Sequence, residues 1–130
     1  MDAAENRAMI QQAFEAWSGG DGRPFLKLVA DDVRWTVIGS TPISRTYTSK
    51  TDFRNALRSM SEHLAGELRV VVRDVIADGD KVAVQFDSHA AGKNGTAYDQ
   101  TYCWVMRVTD GKVREVTAYL DTELLTRLLA

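Results

Sequence analysis

The sequence predicts an α+β domain in which helices are laid on one face of a curved antiparallel sheet. Two observations carry that prediction. Up to Gly66 the apolar residues recur mainly at helical spacing, and beyond it they alternate with polar ones. The second half also carries three hairpin dipeptides, Asp78-Gly79, Asn94-Gly95 and Asp110-Gly111, which cut it into four strands. Helix, helix, strand, helix and then four strands is an α+β order. No repeat or linker interrupts the 130 residues, so they read as one domain, 1–130.

Each element has its own signal. Ile10, Ala13, Phe14 and Trp17 mark an amphipathic helix that Gly19-Gly20 stops. Asp21-Gly22-Arg23-Pro24 opens a second, short helix carrying Phe25, Leu28 and Val29, with Pro24 tolerated in a first turn that needs no N–H, and Asp31-Asp32 ends it. Val33, Trp35 and Val37 alternate with Arg34 and Thr36 as in a strand, and Gly39 to Thr46, with Pro42, reads as a loop. Ser49-Lys50-Thr51-Asp52 resembles a capping box and opens a helix through Phe53, Leu57, Met60 and Leu64. The four strands run about Leu68 to Ala77, Lys81 to Ala90, Thr96 to Val108 and Lys112 to Leu120. A last helix starts at Asp121 and buries Leu124, Leu125 and Leu128.

Composition narrows the function. Sixteen Lys and Arg against eighteen Asp and Glu give a net charge of −2, which offers no footprint for nucleic acid. The N-terminus has no basic stretch followed by an apolar one, and no run approaches a membrane span, so no membrane partner and a cytoplasmic location are expected. Cys103 is the single cysteine, and the two histidines, His63 and His89, are not at metal spacing. No metal and no cofactor are therefore expected.

Counting outward from turns centred on each Gly-containing pair sorts the strands onto two faces. One collects Val71, Val75, Val82, Val84, Phe86, Cys103, Val105, Val116, Ala118 and Leu120, joined by Ser88, Asp99 and Thr101. This nearly apolar face is expected to receive the helices. The other collects Tyr102, Trp104, Met106 and Tyr119 among polar residues, an aromatic patch with few charges. Such a patch suits an interface core, so a homodimer through it is expected. A bulge in any hairpin would reverse part of this assignment, and would turn Arg69 and Arg73 to solvent instead of to the mouth of a pocket.

Val33-Arg34-Trp35, Tyr47-Thr48-Ser49-Lys50, Tyr98-Asp99-Gln100-Thr101-Tyr102, Asp110-Gly111-Lys112-Val113 and Tyr119-Leu120-Asp121 stand in an order that resembles the SnoaL-like branch of the nuclear transport factor two-like superfamily. The resemblance covers essentially the whole chain. It implies a cone-shaped curved antiparallel sheet wrapped around helices, the cystatin-like α+β barrel, enclosing a deep apolar pocket, usually in a homodimer packed through the sheet. The superfamily includes ketosteroid isomerase, whose general-base Asp falls on Val37, whose second Asp falls on Cys103 and whose Tyr falls near Phe14. It also includes limonene epoxide hydrolase, whose Asp-Arg-Asp, Tyr and Asn fall on Ser88, Phe86, Ala118, Trp35 and Val37. Neither set of catalytic groups is present. SnoaL-type aldol cyclases need only one well-placed carboxylate, for which Asp99 and Asp121 are the candidates.

Asp99, near the Asn94-Gly95 turn with Ser88 and Thr101 as hydroxyl neighbours, is either a pocket base or a solvated rim residue. Asp121 is either a base or a helix cap. Trp35, Tyr47, Phe53, Phe86 and Leu120 are the expected pocket walls, joined by Ser88, Thr101, Cys103 and Ala118, because aromatic side chains with few polar groups describe a small-molecule site. The same residues also suit ordinary core packing. Two functions remain open: acid–base catalysis by Asp99 on an apolar cyclic or aromatic compound, of the isomerase, cyclase or hydrolase type, and non-catalytic binding by a dimeric ligand-binding or accessory domain. Function does not transfer with fold, so the site must decide.

Overall fold

In the computed structural model, which describes residues 2–130, α1 (Ala3–Ser18) begins at a capping box. The Asp2 carboxylate accepts from the Glu5 N–H at 2.8 Å, and the Glu5 carboxylate accepts from the Asp2 N–H at 3.3 Å. α2 (Arg23–Leu28) has Pro24 in its first turn, and β1 (Val29–Val37) follows at once. Val29, with ψ 125°, is already extended, so Asp31 and Asp32 are exposed strand residues and not a helix stop. The segment expected as loop, Gly39 to Thr46, gives way at its last residue to β2 (Thr46–Tyr47), which pairs antiparallel with Trp35 and Thr36. α3 (Lys50–Ser61) is capped by Ser49, whose hydroxyl accepts from the Asp52 N–H at 3.0 Å.

The meander follows as β3 (Arg69–Asp78), β4 (Lys81–Ala91), β5 (Ala97–Thr109) and β6 (Lys112–Leu120). Asp121 caps α4 (Thr122–Leu128), its carboxylate accepting from the Leu124 N–H at 3.1 Å. The curved sheet has the order β2-β1-β6-β5-β4-β3, and it is mixed because β1 runs parallel to β6. α1 lies across β3 and β4, α3 against β1, and α4 against β5. Among the described residues, no helix is long and apolar enough to cross a membrane, and no three His, Cys, Asp or Glu side chains are grouped as a metal site.

The inner face departs from the expected one for countable reasons. β4 turns Val82, Val84, Phe86 and Ser88 inward, as expected. Its connection to β5 pairs Ala91 with Ala97, leaving the five residues from Gly92 to Thr96 in the loop. An odd loop shifts the pairing by one residue, and a one-residue slip exchanges the faces of a strand. β5 therefore buries Tyr98, Gln100, Tyr102, Trp104, Met106 and Val108, while Asp99, Thr101, Cys103 and Val105 turn outward. A bulge then makes Arg114 the extra residue, because Val108 faces Val113 but Arg107 faces Glu115. The second slip cancels the first, and Val116 and Ala118 are buried as expected.

A bulge at Arg73 acts likewise in β3: Val75 is buried, but Val70 replaces Val71, which is 44% exposed. Arg69 and Arg73 are turned to solvent. Tyr102, Trp104 and Met106 are thus core residues, and of the four assigned to a dimer face only Tyr119 lies exposed on the outer side. The aromatic argument for that homodimer falls with the register that produced it.

Candidate functional site

Between the inner face of the sheet, α3 and α4 lies a cavity of about 60 Å³. The expected walls Trp35, Tyr47, Phe53, Ala118 and Leu120 line it, with Tyr102 and Trp104 from β5 and Leu57, Met60 and Leu125 from the helices. Alternation in the strands explains the assembly: Trp35 on β1, Ala118 on β6, and Tyr102 and Trp104 on β5 all project from the same face. The Trp35 and Phe53 rings stack at 3.7 Å, and Trp104 meets Trp35 edge to face at 4.8 Å. Tyr47 closes one side, its hydroxyl donating to the Ile43 carbonyl at 2.6 Å while the Arg45 guanidinium lies 3.9 Å above its ring. A second cavity of about 180 Å³, beneath α2 and lined by Trp17, Gly22, Phe25 and Leu26, shares Phe53, Leu57 and Trp104 with the first.

The other expected residues lie elsewhere. Phe86 is buried one layer behind, stacked on Tyr102 at 4.9 Å. Ser88 is fully buried, and its hydroxyl has no hydrogen-bond partner. Asp99 stands on the outer face, contrary to the pocket-base expectation, with a carboxylate oxygen 2.9 Å from Nδ1 of His89. Thr101 is beside it, donating to Asp87 at 3.0 Å. Asp87 is pulled upward by desolvation, but its bonds from Arg73 and Thr101 outweigh this and hold its carboxyl below the usual range. Cys103 lies half-buried on that same outer side, so the odd loop removes Asp99, Thr101 and Cys103 from the cavity together. Asp121 is a helix cap.

Tyr98, Gln100, Tyr102 and Trp104 are the residues the turn-centred count missed. The alternation Tyr98, Gln100, Tyr102, Trp104, Met106, Val108 is the more apolar of the two in this strand, and read by itself it points inward. Gln100 fixes the polar end of the group. Its amide oxygen accepts from the Asp121 and Thr101 N–H groups at 2.8 and 3.1 Å, which leaves its nitrogen to donate to the Asp121 carbonyl at 3.0 Å and to the Tyr98 hydroxyl at 3.3 Å. Tyr98 and Tyr102 then share a hydrogen bond of 2.8 Å. Burial pushes the Tyr102 phenol well above the usual tyrosine range, and burial also raises Tyr98 and Tyr47.

These phenols are neutral hydrogen-bonding groups across the physiological range, not bases. Among the described residues, no carboxylate, histidine or lysine lines the cavity. The space can exclude water from an apolar molecule and offer it neutral donors, whereas proton abstraction inside it has no carboxylate or imidazole to perform it.

The profile of the SnoaL-like domain matches residues 10–116. No curated protein sequence matches the chain. Solved structures share its fold throughout. A cystatin-like-fold protein of unknown function from Xanthomonas campestris is 23% identical with a TM-score of 0.84, covering 96% of this chain and 98% of its own. A nuclear transport factor two-like protein of unknown function from Burkholderia pseudomallei is 23% identical at 0.81, covering 96% and 97%. TerC, co-crystallized with polyporic acid, is 21% identical at 0.78, covering 95% and 97%.

Proposed function

This chain belongs to the SnoaL-like domain family, and on that premise we propose that it is a binding protein for a compact, neutral, apolar molecule held in the cavity above Tyr102 and Trp104. The observation that carries the reading is the lining itself: aromatic and aliphatic walls with no carboxylate, histidine or lysine among them. Asp99, the candidate base, belongs to a solvated pair with His89 on the opposite face of the sheet. That placement favours binding over acid–base catalysis in the cavity. The fold of TerC, which was co-crystallized with polyporic acid, is compatible with an organic ligand.

Size sets a condition on binding. A cavity of about 150 Å³ accommodates benzene, and the present one is about 60 Å³. A ring therefore enters by displacing Leu57 or Phe53 toward the neighbouring cavity of about 180 Å³, an adjustment of side chains of the kind common on binding. Leu57 is only partly buried, so its movement breaks few contacts.

The test is a thermal titration with α-methylstyrene, a small neutral aromatic hydrocarbon. The reading expects the melting temperature to rise with ligand concentration as linkage requires. Ala118→Val, which extends two methyl groups into the cavity, is expected to keep the melting temperature of the unliganded protein and weaken binding about tenfold or more. A flat titration with the wild-type chain, or an unaltered one with Ala118→Val, contradicts the reading.

A further inference from the structure

We propose that the indole N–H of Trp104 is a specificity-determining donor, selecting ligands that carry a hydrogen-bond acceptor oxygen, such as a ketone or an ester, on an otherwise apolar body. This rests on the binding reading above and adds the ligand's chemistry to it. Trp104 is 6% exposed, and its indole nitrogen has no hydrogen-bond partner, although a buried indole N–H ordinarily finds one. Its surroundings explain the lack. Phe14, Trp17, Phe25, Trp35, Phe86 and Tyr102 all stand within 4.8–6.0 Å of its ring, centre to centre, and five of these six side chains carry no hydrogen-bond acceptor oxygen.

Trp104 is also among the few residues that line both cavities, with Phe53 and Leu57 as the others. Trp104 therefore stands at the junction of the two spaces with its indole nitrogen buried, where a molecule that displaced Leu57 would place its middle. Tyr102, the sixth neighbour, and Tyr47 are the other neutral donors at the wall, but their hydroxyls are already bonded, to Tyr98 at 2.8 Å and to the Ile43 carbonyl at 2.6 Å. An acceptor oxygen reaching Trp104 would satisfy a donor whose desolvation the folded chain has already borne, so the bond adds to affinity instead of replacing one to protein.

Two probes of matched shape isolate the bond. Acetophenone and α-methylstyrene differ by a carbonyl oxygen in place of a methylene, and the wild-type chain is expected to bind the ketone roughly three to ten times more tightly. In Trp104→Phe that preference disappears while α-methylstyrene still binds, which also shows that the variant is folded. Without any substitution, one indole N–H proton resonance is expected to move downfield with acetophenone and not with α-methylstyrene. Equal affinity of the wild-type chain for both probes overturns the donor role and leaves the binding reading standing. Binding of neither probe removes that reading and this inference together. A preference that survives Trp104→Phe but is lost in Tyr102→Phe assigns the donor to Tyr102 and overturns the proposal.

Discussion

Gln100 has no freedom to flip, because both ends of its amide meet backbone groups of Thr101 and Asp121. That rigidity orders the phenols beyond it, and the phenols give the chain a pH dependence with a defined sign. In the unfolded chain a tyrosine loses its proton near pH 10. In the folded chain Tyr102, and to a lesser degree Tyr98, keep theirs to higher pH because ionised phenolate would be buried. Above about pH 10 the unfolded state thus binds fewer protons than the native one, and stability falls as pH rises toward the native pKa. Below that pH the contribution is fully present. Tyr102→Phe is expected to flatten the decline of melting temperature between about pH 9 and 11; parallel alkaline limbs for the two proteins would show that Tyr102 is not the group responsible.

At the scale of elements, the connection between β4 and β5 matters most. Asn94-Gly95 looks like a two-residue hairpin turn, but its residues serve another contact. The Asn94 side-chain amide donates to the carbonyls of Arg127 at 2.8 Å, Leu128 at 3.4 Å and Ala130 at 3.3 Å, so it caps the end of α4. The Lys93 N–H meanwhile donates to the His63 carbonyl at 2.8 Å, tying the loop to the end of α3. A loop holding two helix ends needs more residues than a tight turn supplies. Asn94→Ala is expected to cost about 1 kcal/mol, lowering the melting temperature by roughly 4 °C, and to increase amide exchange in Leu125 to Leu129 specifically. Unchanged exchange in α4 would refute the capping role.

This loop also explains where the sequence was readable. Hairpins whose turns obey their dipeptide were legible: Asp110 and Gly111 both take positive φ, 54° and 71°, as a type I′ turn requires. The Ser49 and Asp121 caps and the inward face of β4 were legible for the same local reasons, whereas that of β6 came out as expected because two slips cancel. The face of β5 was not, since it depends on tertiary contacts of Lys93 and Asn94 that leave no local trace. The bulge at Arg114 that restores β6 was equally hidden.

For the whole molecule, that single register shift decides the chemistry of the site. It takes Asp99, Thr101 and Cys103 out of the interior and puts Tyr102 and Trp104 in their place, turning a pocket expected to hold a carboxylate into one lined by neutral groups. Trp35, Tyr47 and Phe53 line the cavity from elements outside the meander, and Ala118 and Leu120 line it because the two slips before β6 cancel. The same shift sets His89 opposite Asp99 on the outer face of β4 and β5.

The most direct measurement of the central claim is a map of backbone amide shifts on adding acetophenone to the labelled wild-type chain. Binding in the cavity is expected to perturb Trp35, Phe53, Leu57, Tyr102, Trp104, Ala118 and Leu125, on both sides of it, in saturable fashion. Perturbations centred instead on Asp87, His89, Asp99 and Thr101 would place the ligand on the outer face and contradict the account.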